Sequence, residues 1–149
     1  MRVCRFFILA VFATTACDNT SGGVGTPAIR IVGQWRYTSR VSDSPPTASC
    51  QLNGTASLNQ TNDQFNGLLN QGVQLCTYGG EMYEDALYGS VSLVEIAGET
   101  LRFMAAQCLH MGAISGSPAN HLAGNMSCSF EMPPGTPAHA FTGTWEANR

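Results

Sequence analysis

The chain predicts an all-β domain, a single antiparallel up-and-down barrel of seven to eight strands. Three observations lead there. From Ile29 onward apolar residues recur with a period of two, the mark of strands with one buried face. Clusters of turn-forming residues punctuate that alternation. A Gly-x-Trp triplet stands on both the first and the last alternating segment, as Gly33-Gln34-Trp35 and Gly143-Thr144-Trp145.

The elements follow in order. After the first strand around Trp35 and Tyr37, Leu52, Gly54, Ala56 and Leu58 alternate with Asn53, Thr55, Ser57 and Asn59. The Thr61-Asn62-Asp63-Gln64 cluster supplies a turn, and Phe65, Gly67, Leu69, Val73 and Leu75 return. Gly80 to Leu87 reads as a helical turn or a loop carrying Glu81, Glu84 and Asp85. A second hairpin runs from Tyr88 to Ile96, turns at Ala97-Gly98-Glu99 and returns through Leu101, Phe103 and Ala105. A third pair carries Leu122, Gly124, Met126, Cys128 and Phe130, a loop from Pro133 to Pro137, then Phe141, Gly143, Trp145 and Ala147. The stretches Tyr78 to Leu87 and His110 to His121 are the longest expected to be irregular.

Consecutive antiparallel strands must hide their edges, and closure of the sheet removes them. The two terminal Gly-x-Trp strands are the natural seam. Gly33-x-Trp35 resembles the first-strand motif of lipocalins, and Phe141-x-Gly143-Thr144-Trp145, with Gly67 after Phe65, is similar to avidin-like barrels. That resemblance implies an eight-stranded calycin-type barrel. It brings no matching set of ligand residues with it.

The N-terminus reads as an export signal over residues 1–16: Arg2 and Arg5 precede an apolar run from Phe6 to Ala13, and Thr14-Thr15-Ala16 leads into Cys17. The arrangement resembles a bacterial lipoprotein precursor, although Thr14 stands where that family usually has leucine or valine. It implies a lipidated Cys17 and an anchor in the cell envelope, on the periplasmic or extracellular face. Ordinary cleavage after Ala16, with secretion, is the alternative. Residues 17–28, rich in Gly, Ser and Thr, form the expected tether, and 29–149 the barrel domain.

Four further cysteines, Cys50, Cys76, Cys108 and Cys128, predict two disulfides in an exported protein. A hairpin centred near Asp63 sets Cys50 opposite Cys76 with one bulge around Gly72. Another centred near Pro118 sets Cys108 opposite Cys128.

Removing the signal leaves five arginines against ten acidic residues, with no lysine. A mildly acidic chain has no basic stripe for phosphate backbones, so nucleic acid is excluded as a partner. Enzymatic chemistry finds no footing: there is no Gly-x-Ser-x-Gly elbow, and His110, His121 and His139 lack ligand spacing. They read as loop histidines. No metal or cofactor is expected.

Two function classes remain. The first is capture of a small apolar ligand inside the barrel, with Trp35, Tyr37, Phe103 and Trp145 as lining residues. Glu95 and Gln107 share strand parity with Leu93 and Ala105 and are expected in the cavity or at its rim. Inward Gly54, Ala56, Gly67, Gly89, Gly124 and Gly143 leave space, or equally admit tight coiling of a filled barrel. The second class is a tethered surface module, for example an inhibitor, whose loops bind another envelope protein.

Overall fold

The computed structural model describes residues 29–44, 46–61 and 64–149, so the expected signal, Cys17, the tether to Ala28 and the Asn62-Asp63 turn tip lie outside the described residues. Eight strands follow one another: β1 (Gly33–Ser42), β2 (Ala48–Thr61), β3 (Gln64–Tyr78), β4 (Glu81–Ala97), β5 (Thr100–Ala105), β6 (Cys108–Ser115), β7 (His121–Glu131) and β8 (Ala138–Asn148). Each pairs antiparallel with the next, and β1 pairs with β8, closing the barrel. At the seam Ser39 lies opposite Trp145 and Arg36 opposite Asn148. The two Gly-x-Trp strands are neighbours, as expected.

Alternation places the core. Trp35, Tyr37, Ser39 and Val41 are buried along β1, while Arg36 and Arg40 are exposed between them. On the neighbouring strands Gln51, Thr142, Thr144 and Glu146 are likewise exposed on the outer wall. Both disulfides form as read from the hairpins, Cys50–Cys76 and Cys108–Cys128, with each pair directly opposite in register and buried. The β2–β3 register shifts after Asn53, which is the bulge that the Cys50–Cys76 pairing demands. Such bonds belong to chains that fold outside the reducing cytoplasm.

Glycine permits close backbone contact in the wall. Gly112 and Gly124 face each other across β6 and β7, and a Cβ on Gly112 would lie 2.3 Å from the Ala123 carbonyl oxygen and 2.8 Å from the Trp145 ring. Without side chains there, the indole lies against the backbone. Its Nε1 donates to the Asn125 oxygen at 3.1 Å.

One pole of the barrel is shut. Ile31 is wholly buried where the chain enters β1, held by Gln60, whose side chain accepts from Ile31 N and donates to Ile29 O, both at 2.8 Å. Trp35 Nε1 donates to Ile31 O at 2.8 Å. Arg149 lies over the Trp35 ring, 4.6 Å from its centre, and donates to Ala119 O and Val32 O. An aromatic face and carbonyls together satisfy the guanidinium.

Several expectations need correction. Glu81 to Leu87 is strand, neither helical turn nor loop, because Gly79 and Gly80, with φ of 58° and 85°, make the two-residue turn that matches strand twist. His110 to Ser115 belongs to β6, held in register by Cys108–Cys128. Glu95 points outward, opposite Arg102, because an irregularity between Ser92 and Glu95 reverses the parity carried from Val91. Gln107 is exposed in the β5–β6 turn at φ 60°, beyond the end of β5, so strand parity does not apply to it.

Candidate functional site

Two regions bear on function: the barrel axis, where expected ligand residues lie, and a notch at the pole opposite Arg149, where a strand edge is uncovered. The axis collects four residues expected there. Tyr37, Phe103 and Trp145 pack with His110 at mid-height, and Trp35 sits toward the closed pole. Phe103 and His110 stack 4.3 Å apart at 9°, and Trp145 meets both rings edge-on at 5.1 and 5.4 Å. The rings fill each other's space. The remaining void, bounded by Trp35, Tyr37, Ala56, Leu58, Leu69, Phe103 and Trp145 among others, holds about 20 Å³. That admits about one water, whereas pockets for small molecules span roughly 300 to 1,000 Å³.

His110 is the axial residue that sequence reading misplaced as a loop histidine. Its signal was parity: Cys108, His110 and Ile114 alternate on one face of β6, and all three are buried. His110 Nδ1 lies 3.1 Å from Cys108 O, an acceptor only, so Nδ1 carries the proton and Nε2 accepts from the Tyr37 hydroxyl at 2.8 Å. Met126 Sδ lies 3.7 Å from the same hydroxyl. Burial pushes the imidazole down to about 4, and burial likewise raises the Tyr37 phenol far above its ordinary range. Both stay neutral at physiological pH. A neutral, fully enclosed pair with no room for a substrate is a packing device.

The notch arises from unequal strand lengths. β4 has 17 residues and β5 only six, and β5 pairs with β4 only from Ser92 to Ala97. Along Glu81 to Gly89 the β5 side of β4 therefore has no strand partner among the described residues. The gap is a groove of about 720 Å³ lined by Gln74, Asp85, Ala86, Gly89, Ala106, Gln107, Phe130, Glu131 and Pro134, among others. Its floor is apolar where Phe130 stacks on Phe141, with ring centres 4.2 Å apart. Asp85 and Glu131 put two carboxylates on its walls, and among the described residues no arginine or histidine lines it.

Ladder geometry fixes which backbone groups the open edge presents. A Cα separation of 4.0 Å marks Cys50 and Cys76 as a non-hydrogen-bonded pair, so Cys76 directs its N–H and C=O toward Tyr83 on β4. Alternation then turns those of Met82, Glu84 and Ala86 away from β3. Asp85 Oδ1 accepts the Ala86 N–H at 2.7 Å, a local substitute for the missing strand.

The expected site residues thus divide. Trp35, Tyr37, Phe103 and Trp145 lie in the filled interior, Gln107 on the rim of the notch, and Glu95 on the outer wall. His110 faces inward while Met111 is half exposed on the opposite face. No cluster suited to a metal occurs among the described residues. Comparison with known proteins gives no match: no family model, no curated protein and no solved structure is similar to this chain.

Proposed function

We propose that the chain is an exported protein, anchored to a bacterial membrane through lipid on Cys17, that serves as a binding module for another cell-envelope protein. The observation that carries this reading is a filled axis, with about 20 Å³ left, beside a stretch of β4 from Glu81 to Gly89 that no strand among the described residues covers on the β5 side. The filled barrel is then a scaffold, and the notch its working surface. The poles suit the arrangement. The chain enters the barrel at Ile29 beside Trp35 and Arg149, so a tether would leave from the closed pole and turn the notch away from the membrane. Two disulfides near the notch stiffen the edges it is built from.

Capture of a small apolar ligand is the competing reading, and it requires the stacked Phe103, His110 and Trp145 rings to part. Native mass spectrometry of the purified protein separates the two. A clean mass, with stoichiometric recovery of one envelope protein that is lost when the notch is altered, supports the surface module. A retained apolar molecule would overturn it. Palmitate labelling of wild type and Cys17→Ser tests the anchor, and unchanged labelling of the variant would refute it.

A further inference from the structure

We propose that the open edge of β4, from Met82 to Ala86, accepts an extended basic segment of the partner protein as an added strand. The inference rests on the reading of the notch as the working surface and names what that surface recognises. Met82, Glu84 and Ala86 direct backbone donors and acceptors away from β3, which is the template for main-chain pairing. The Asp85 side chain occupies the Ala86 N–H. An incoming strand supplies a carbonyl in its place and frees that carboxylate for a cation.

Charge decides the occupant. Glu81, Glu84 and Asp85 lie on the strand and Glu131 across the groove. A second copy of this chain would bring the same acids against them edge to edge, and like charges directly opposite are unfavourable. Arginine or lysine at alternate positions meets Asp85 and Glu131 instead. On the outer face Met82 is 77% exposed, with Ala86 two places beyond Glu84. Apolar residues of the incoming strand cover these, while its basic residues face Asp85 and Glu131. The same acids keep the edge from pairing with neutral strands and other copies when no partner is present.

The probe is a capped hexapeptide alternating valine and arginine, compared with its valine–glutamate counterpart, and titrated into the purified disulfide-bonded protein at low salt. Expected are binding of the arginine peptide, at least about tenfold preference over the glutamate peptide, and slowed amide exchange at Met82, Glu84 and Ala86. Ala86→Pro removes the outward N–H at an edge position where proline is tolerated, and affinity should fall about tenfold or more. Asp85→Asn keeps an acceptor for the Ala86 N–H but removes a charge that faces the incoming basic residues, and should cut the arginine preference at least about threefold, a second test that holds should the proline variant misfold. Absence of binding, protection confined to other strands, or an unchanged preference in Asp85→Asn would each overturn strand addition. Should folded Ala86→Pro still recover the envelope partner in full, strand addition falls and the surface module stands. Should wild type recover no partner and retain a small molecule, the surface module itself falls.

Discussion

Acid should destabilise this barrel through one buried imidazole, and the size of the effect follows from the His110 site. The folded protein holds His110 down to about 4, because burial opposes the charged form more than the Cys108 and Phe103 carbonyls favour it. An unfolded chain restores a value near 6.5. Unfolding therefore takes up a proton between those values: stability is nearly full above about pH 6.5, falls as pH drops toward 4, and levels off within about a unit below that as the folded histidine protonates too. A shift of two to three units at about 1.4 kcal/mol each makes the loss between pH 7 and pH 4 about 3 kcal/mol. The perturbation is His110→Leu, which removes the titrating group and leaves the Tyr37 hydroxyl its contact with Met126 Sδ. Urea unfolding of wild type and variant at several pH values across the window is the assay, with the difference between the two curves as the readout. Carboxylates common to both proteins cancel in that difference. Parallel curves from neutral pH down to pH 4 would refute the enclosed, neutral histidine.

Three further outcomes test the scaffold. Replacing Cys108 and Cys128 together by alanine opens a loop of 20 residues and should lower stability by about 3 kcal/mol, read from urea midpoints under oxidising conditions. Arg149→Ala loses the ring contact with Trp35 and the bonds to Ala119 and Val32, so it should cost about 1 to 3 kcal/mol and raise amide exchange at Ile31 before the rest of the barrel. Gly112→Ala sets a methyl group 2.3 Å from a carbonyl oxygen and should cost about 1 to 3 kcal/mol with a shift in Trp145 fluorescence, whereas Asn125→Ala, an exposed neighbour, should stay within about 0.5 kcal/mol.

Much of this architecture is legible in period-two alternation because burial enforces it at every second residue of β1, β2, β7 and β8. The disulfide pairing is legible for the same reason: once a hairpin centre is fixed, opposite positions follow by counting, and Cys108 meets Cys128 without an irregularity. Counting fails where the ladder slips. Glu95 follows a bulge that alternation cannot register, so its side chain emerges on the wall. Gln107 fails differently, since β5 ends two residues earlier in a turn with positive φ at both Ala106 and Gln107, and nothing in Met104-Ala105-Ala106-Gln107 announces it. His110 shows the converse error. A polar type outweighed its position between Cys108 and Ile114, although position governs which face a residue takes.

The notch was invisible for a deeper reason. It is a property of two strand lengths compared across the barrel, and neither length is marked locally. Glu81 to Leu87 carries three acids in seven residues, which read alone suggests a solvated loop. In the fold the same acids lie along an edge that the short β5 leaves uncovered. Charge at such an edge has two consequences that cannot be separated. It disfavours pairing with a second copy, since antiparallel alignments of β4 on itself centred on Tyr83, Glu84 or Asp85 set two carboxylates directly opposite, and it favours a segment of opposite sign. A strand that must stay open for a partner and closed to its own kind needs that asymmetry, and Glu84 and Asp85 supply it beside the groove of Phe130 and Glu131.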